Sequence, residues 1–417
     1  MTDSQPQPPA DPLRGESAPA PALLLCGGRL ADGRTVDVRL AGPRIEAVGT
    51  AGSLAGDGQT PRVDLAGYLL LPAPAEPHAH LDTALTADCA GPPSYDGEEV
   101  QRRVTEAALL QLGHGATAVR AHARIGDVQG LRAVEAVLQA RRALRGLIEV
   151  QAVAVPRVLT GAAGADSLAM LHDALKMGAG VVGGCPDLDP DPSGYAEAVL
   201  GVAAEYGLPV DLHTDAADPA RLSRLAAMAG GLRPGVTLGP CGGLALQGAD
   251  TVTRLAGQLA AAGVSLTALP QGGCGAMESV RRGATAPVRT LRAAGVRVAA
   301  GSGALRDLTN PVGRGDPLEA AFLLASHGEC SPAEAYDAIS REARAVMGLP
   351  EVRVEAGFPA ELLAVRAERL ENALSLAYSR VVIHRGRVVS RTSAVREFTD
   401  TLALDLPRQS RSRRDPA

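Results

Sequence analysis

The chain has 417 residues, 46% of them hydrophobic and 2% aromatic, and a formal net charge of −5. A chain of this length buries a large core, either as one elaborated α/β barrel or as two or three domains. The acidic balance and the scarcity of aromatic side chains argue against nucleic acid as a partner, because such surfaces need basic patches and stacking platforms. The sequence contains no apolar run of about 20 residues, the length of a membrane helix, so we expect no membrane partner.

The termini and the cysteines bear on where the protein works. Residues 1–21 are rich in Pro, Ala and Ser and lack the basic and apolar regions of a signal peptide, which predicts a disordered leader. Residues 401–417 carry arginines among Ser, Gln and Pro, which predicts a disordered basic tail; the alternative is a docking segment. The six cysteines form no CxxC pair and describe no disulfide framework. We therefore expect a cytoplasmic protein with reduced thiols.

Both ends of the chain have the pattern of β-strands. Short apolar or alternating runs separated by turns fill residues 23–70, and residues 360–365 and 381–389 have the same character. Strand clusters at opposite ends of a chain can pair with each other. The pattern therefore predicts a small β-sandwich domain built from residues 22–70 together with 355–400.

The middle of the chain, residues 71–350, repeats a strand followed by a helix. Helical stretches rich in Ala, Leu and Arg, such as 166–177 and 219–229, separate eight buried strand-like runs. The strand candidates are 68–73, 116–121, 148–155, 180–183, 209–212, 236–238, 265–268 and 296–300. Eight such units predict a (β/α)8 TIM barrel in an α/β protein. The alternative is a doubly wound parallel sheet, which seldom runs to eight regular units.

Three histidines lie where such a barrel carries its chemistry, at the carboxyl ends of the strands. His78 and His80 follow the first predicted strand and, two residues apart on an extended chain, face the same way. His213 ends the fifth predicted strand. Three imidazoles and a water molecule are a common catalytic metal site, so we predict a divalent metal, zinc or iron, on these residues. The alternative is histidines hydrogen-bonded in the barrel mouth without a metal.

These motifs resemble the amidohydrolase superfamily, and in particular the bacterial cytosine deaminases. Residues 76–83, Glu-Pro-His-Ala-His-Leu-Asp-Thr, resemble the first-strand motif of that family, and residues 119–127 resemble its second strand. Residues 178–183 and 213–215 match in order and spacing, and the likeness covers about residues 23–390. The resemblance implies a barrel with a β-sandwich. It also implies a metal-dependent hydrolase of non-peptide C–N bonds in small cyclic amides or amidines, and a homo-oligomer.

Four family positions carry other residues in this chain. In that family, a glutamate three residues after the fifth-strand histidine shuttles protons, and a sixth-strand histidine helps to activate water. An eighth-strand aspartate binds the metal, and a third-strand glutamine grips the pyrimidine. These positions are occupied here, in that order, by Ala216, Cys241, Gly303 and Arg157. The resemblance therefore predicts a metal cradle with a degraded proton-transfer set, because alanine and glycine cannot transfer a proton.

Cys241 and Asp307 are the catalytic candidates that remain. Cys241 is either a small filler beside two glycines or a metal ligand or thiolate nucleophile. Cys185 and Cys274 also follow predicted strands, so a thiol-lined pocket is a further hypothesis. Asp307 lies beyond the eighth strand and is a candidate substitute for the missing aspartate. His122 lies in the second-strand motif and receives no role.

Arg157 and Asp215 are the substrate-binding candidates. An inward Arg157 favours a carboxylate or another anion through bidentate pairing, whereas its alternative is a surface arginine. Two functions follow from the sequence. One is a cytosine deaminase-like hydrolase with a metal on the three histidines. The other is a catalytically inactive barrel that binds a small molecule or a partner, since function depends on the site and not on the fold.

Overall fold

Strands from the two ends of the chain form one mixed β-sheet in the computed structural model of the protein, which describes residues 22–54, 60–89, 91–162, 164–272, 284–376 and 378–394. Its strands are β1 (Leu23–Arg29), β2 (Thr35–Ala41), β3 (Arg44–Thr50), β4 (Arg62–Asp64), β5 (Tyr68–Pro72), β14 (Leu362–Arg366), β15 (Arg380–His384) and β16 (Arg387–Thr392). They lie in the order β16-β15-β14-β5-β1-β2-β3, with β4 beside β1. The antiparallel pairing of β5 with β14 joins the two ends of the chain.

This sheet has an apolar core of its own. Val36, Val38 and Leu40 of β2 are buried and pack with Leu362 and Ile383 of the C-terminal strands. Burial of apolar surface stabilises by about 25 cal/mol per Å², so this contact holds together segments that are distant in sequence. The predicted association of the two chain ends is confirmed.

Eight parallel strands form the barrel. They are β6 (Ala75–Ala79), β7 (Ala118–Ile125), β8 (Glu149–Pro156), β9 (Val181–Gly184), β10 (Val210–Thr214), β11 (Val236–Pro240), β12 (Ser265–Ala268) and β13 (Val298–Ala300). Each strand pairs with the next along the chain. A parallel bridge between Ala79 and Gly303 joins the first strand to the residues after the last. The predicted TIM barrel is confirmed.

Helices alternate with the barrel strands and continue after them. They are α1 (Gly97–Gly113), α2 (Arg132–Ala143), α3 (Gly164–Met177), α4 (Pro192–Tyr206), α5 (Pro219–Ala229), α6 (Ala249–Ala262), α7 (Val288–Ala293), α8 (Pro317–Ser326), α9 (Pro332–Ile339), α10 (Arg341–Val346) and α11 (Leu370–Leu376). Four of them, α1, α4, α5 and α8, begin after an aspartate whose side chain accepts a hydrogen bond from an amide of the first turn. Such a cap satisfies donors that have no partner within the helix.

One predicted strand belongs to the other sheet. The apolar run at 68–73, predicted as the first barrel strand, forms β5 of the mixed sheet, and that prediction is wrong. The barrel begins three residues later with β6, whose inward residues Glu76 and His78 are polar. Apolar content alone favours the wrong segment, because the first barrel strand buries polar residues at its inward positions.

Some expectations fall outside the described residues. The predicted leader (1–21), the predicted basic tail (401–417) and Cys274 are among them. Within the described ranges, Cys26, Cys89, Cys185, Cys241 and Cys330 form no disulfide. In the same ranges, no helix combines the length and the apolar character needed to cross a membrane.

Candidate metal centre and adjoining cleft

Four histidine side chains meet inside the barrel. His78 lies in β6 and His80 directly follows it, while His122 comes from β7 and His213 from β10. All four are buried, with at most 4% of the residue exposed. The six distances between their ring centroids run from 4.1 Å for His78–His122 to 5.4 Å for His80–His122. The structure thus brings together the three predicted ligands and adds a fourth imidazole.

Most ring nitrogens in this cluster have no hydrogen-bond partner within the described part of the chain. This holds for both nitrogens of His78, both of His122, and Nδ1 of His213. The remaining close pair is His213 Nε2 and His80 Nε2, which lie 3.0 Å apart. A buried imidazole nitrogen without a partner is costly in a protein interior. The cluster therefore needs something that accepts its lone pairs.

A divalent metal fits these residues. One ring nitrogen from each of His78, His122 and His213 lies within 4.8 Å of the others. Zinc binds histidine nitrogen at about 2.0–2.1 Å, so ligands of one ion lie about 3–4 Å apart and only small shifts are needed. Burial, and then repulsion from neighbouring imidazoles, holds the pKa of His78 and of His80 well below the usual value, and that of His213 at about 3. Neutral imidazole is the metal-binding form.

A buried ion pair lies beneath the histidines. Arg120 Nη1 donates to Asp211 Oδ2 at 2.8 Å, and Asp211 Oδ1 lies 3.3 Å from His122 Nε2 and 3.9 Å from His78 Nδ1. Arg120 also donates to the side chain of Gln151 at 3.1 Å. Burial alone would raise the pKa of Asp211, but His122 and Arg120 bring it down to about 2. Asp211 is therefore an anion at the base of the cluster.

The end of the eighth strand is occupied by backbone. Gly303 has φ +70°, donates to the His78 carbonyl at 3.0 Å and accepts from the His80 amide at 3.1 Å. A Cβ at this position would lie 3.0 Å from Leu269 Cδ1. The preceding Ser302 donates through its hydroxyl and its amide to the buried carboxylate of Glu76. The predicted absence of a ligand side chain at 303 therefore coincides with a tight turn that closes the barrel.

Cys241 and Asp215 lie together in the turns after β11 and β10. Cys241 is fully buried, with φ +54°, and burial raises the pKa of its thiol well above the ordinary value. A protonated thiol is a poor nucleophile, so the structure gives no support to the thiolate interpretation. The Asp215 carboxylate accepts from the Gly243 amide at 2.8 Å and is half-buried. This contact connects the two turns, beside Ala216 with its φ of +55°.

A cleft open to solvent adjoins His80 and has a volume of about 110 Å³. Its lining includes His80, Thr83, Thr86, Arg124, Asp307 and Thr309. Asp307 Oδ1 accepts from the amides of Thr309 and Asn310 at 2.8 and 2.9 Å. Asp307 Oδ2 is buried and has no hydrogen-bond partner among the described residues. Burial, with a contribution from Asp82, raises the pKa of Asp307.

Arg124 lines the same cleft as Asp307. Arg124 follows His122 by two residues on β7, and its Nε donates to Asp82 Oδ2 at 3.2 Å. The Arg124 side chain is 32% exposed, so it reaches the solvent of the cleft. The cleft thus combines an imidazole, a guanidinium group and a carboxyl group with a raised pKa.

Two sequence candidates lie apart from this cleft. Arg157 directly follows β8 and is exposed, and it is absent from the described lining of the cleft. Cys185 follows β9 and is buried, and its amide donates to the Tyr195 hydroxyl at 3.1 Å. The thiol-lined pocket has no support from Cys241 and Cys185, and Cys274 lies outside the described residues.

The parallel barrel, the mixed sheet and the inward histidines define an α/β barrel with a candidate metal centre. A profile of the Amidohydrolase family matches residues 82–390, and the chain belongs to that family. Pterin deaminase of Rhizobium rhizogenes is 26% identical over 417 aligned residues, which cover 90% of this chain and 93% of that protein. Members of the family depend on a metal, in agreement with the unpartnered imidazoles of this chain.

Two solved structures share the architecture. N-isopropylammelide isopropylaminohydrolase from Burkholderia multivorans superposes with a TM-score of 0.77 at 25% identity, over 89% of this chain and 99% of that one. 5-Methylcytosine deaminase from Klebsiella pneumoniae has a TM-score of 0.78 at 22% identity, over 90% and 99% of the two chains, and shows the common fold. The resemblance to a deaminase-like hydrolase of C–N bonds, drawn from the sequence, is confirmed at the level of the family.

Proposed function

We propose that the protein hydrolyses the bond between a ring carbon and an exocyclic nitrogen in a small cyclic amidine or amide. The observation that carries this proposal is the cluster of four buried imidazoles with unpartnered nitrogens beside an open cleft. Pterin deaminase and N-isopropylammelide isopropylaminohydrolase, named for removal of an amino and an isopropylamino group, support the reaction class. Pterins, aminotriazines and aminopyrimidines are accordingly the first substrates to test.

The histidines are the residues that would hold the metal. His78, His80 and His213 supply neutral imidazoles from two strands of the barrel. When bound, a divalent metal supplies Lewis acidity that activates water for hydrolysis near neutral pH. Asp211 and Arg120 hold this side of the cluster in a fixed geometry through their buried ion pair. Fixed supporting groups of this kind orient ligands and tune their basicity.

Proton transfer is assigned to Asp307. In the hydrolysis, a C–O bond forms, the C–N bond breaks, and a proton from water passes to the leaving nitrogen. Asp307 lines the cleft, its buried Oδ2 has no hydrogen-bond partner among the described residues, and burial raises its pKa above the usual carboxyl value, the direction that favours a general acid. Arg124 lies in the same cleft and is placed to orient an acceptor atom of the substrate ring.

The test is an ammonia- and amine-release screen over the three heterocycle classes, run on protein purified without chelator and analysed for metal. We expect turnover with at least one class and about one zinc or iron per chain. In His78→Ala, both the metal and the turnover should be lost. His327→Ala, which removes an exposed histidine at the end of α8, is the matched control and should retain both.

A different result would overturn this function. Metal-free protein without turnover on any class would favour the catalytically inactive barrel that the sequence left open. Turnover that survives both His78→Ala and metal removal would contradict the role of the cluster. The intact fold of each variant is checked by circular dichroism.

A further inference from the structure

We infer that His122 is a fourth metal ligand and takes the place of the aspartate that is absent at Gly303. The inference rests on the proposed metal site and deepens it. His122 lies on β7, one strand away from His78 and His80, and its ring is completely buried. Its Nδ1 has no hydrogen-bond partner among the described residues, and its Nε2 lies 3.3 Å from Asp211 Oδ1.

The packing of the four rings indicates one common centre. The His122 centroid lies 4.1 Å from His78, 4.7 Å from His213 and 5.4 Å from His80. The three pairs that exclude His122 span 4.5 to 5.3 Å. With zinc about 2.0–2.1 Å from each nitrogen, imidazoles on one ion have ring centres about 4.5–5.5 Å apart. The distances from His122 to His213 and His80 fall in this range, and the 4.1 Å distance to His78 is about 0.4 Å shorter, so the two rings would move slightly apart around a shared ion.

The supporting contacts favour His122 as a ligand. Asp211 Oδ1 lies 3.3 Å from His122 Nε2, and Arg120 holds the other carboxylate oxygen at 2.8 Å. A histidine that turns one ring nitrogen toward a carboxylate presents the lone pair of the other to a metal, with its tautomer fixed. The same carboxylate provides a negative charge next to the cluster, which a ligand aspartate would otherwise bring.

Asp307, the other candidate for the position of the missing ligand, is less well placed than His122. Asp307 Oδ1 is committed to the amides of Thr309 and Asn310, and its side chain lines the cleft. The backbone at Gly303 closes the barrel against β6, where a longer side chain would meet Leu269. The family resemblance implies four protein ligands, three histidines and an aspartate, so a fourth imidazole in place of the aspartate would leave the number of ligands unchanged. The assignment of His122 is therefore compatible with hydrolysis.

X-ray absorption at the zinc edge counts the imidazoles directly. For the wild-type protein loaded with one equivalent of zinc, the inference predicts scattering from four imidazole rings, and from three in His122→Ala. The zinc dissociation constant, measured by chelator competition, should rise more than about 100-fold, because even a supporting residue typically contributes 10–100-fold. His172→Ala removes a histidine that bonds to Tyr206 outside the barrel and should change neither measurement.

The result distinguishes the two proposals. Three imidazoles in the wild type, with an unchanged zinc affinity in His122→Ala, would overturn the fourth ligand and leave the hydrolase intact. Absence of zinc binding at the cluster would overturn both. If His122→Ala does not fold, the wild-type count still decides, and Asp211→Asn should lower zinc affinity about 10–100-fold with four imidazoles retained.

Discussion

Two groups of barrel strands differ in the side chains that they carry. The polar strands β6, β7 and β10, with the residue after β6, carry the ionisable residues Glu76, His78, His80, Arg120, His122, Arg124, Asp211 and His213. The valine strands β8 and β9 carry Val153, Val155 and Val181, which form a separate apolar cluster. The ionisable groups therefore lie close together, in surroundings where electrostatic interactions are strong. In the order of the barrel the valine strands lie between β7 and β10, so they separate two of the polar strands.

The largest expected effect concerns Asp307, which lines the cleft beside His80. Asp307→Asn should lower kcat about 10²–10⁴-fold, the usual contribution of a proton-transfer residue, and leave the zinc content unchanged. Asparagine keeps the oxygen that accepts from Thr309 and Asn310, so the loop should remain folded. Steady-state kinetics on the substrate found in the screen measure the effect.

A neighbouring carboxylate provides the control for that substitution. Asp88 is 82% exposed and pairs with Arg306 at the surface, so Asp88→Asn should retain full activity. An unchanged kcat in Asp307→Asn would remove Asp307 from the chemistry.

The second largest effect is expected from removal of the buried ion pair between Arg120 and Asp211 on the polar strands. Arg120→Met leaves Asp211 buried without its cation, and uncompensated buried charges cost about 3–5 kcal/mol. Urea unfolding in the presence of EDTA measures the free energy of unfolding without a contribution from metal. Arg102→Met removes an exposed pair with Glu106 and should cost at most about 1 kcal/mol. Equal losses in the two variants would mean that the ion pair contributes no more than a surface contact.

The smallest effect on stability is expected from a substitution that tests how tightly the valine strands β8 and β9 are packed. A Cβ at Gly183 would lie 2.5 Å from Val153 Cγ1 and 2.9 Å from Val155 Cγ2. Gly183→Ala should therefore destabilise by about 1–3 kcal/mol, the usual cost of overpacking. Gly180, which has open space around its Cβ position, is the matched control, and Gly180→Ala should be close to neutral. Indistinguishable unfolding midpoints would show that the valine cluster is loosely packed.

The same contrast explains what the sequence could predict. Elements with a simple apolar pattern were located well: the strand predicted at 265–268 is Ser265–Ala268, and the helix predicted at 219–229 is Pro219–Ala229. The polar strands are harder to locate from the sequence. The strand predicted to end at 121 runs to Ile125, because its inward residues are Arg120, His122 and Arg124. Placed after the strand, His122 received no role.

Long-range pairing explains the remaining errors. Arg120 and Asp211 are 91 residues apart and meet only when the barrel closes, so no local pattern identifies either one. His78, His80 and His213 were found because two of them alternate on one strand and the third ends another. A signal for His122 was present in the alternation of polar residues from 120 to 124, which fits an inward strand face.

Anomalous scattering at the zinc edge, from crystals grown with one equivalent of zinc, tests the central claim most directly. The account predicts one peak inside the barrel, about 2.0–2.1 Å from ring nitrogens of His78, His80, His122 and His213. Zinc-grown crystals with no peak among these histidines, or with zinc bound elsewhere on the chain, would contradict it.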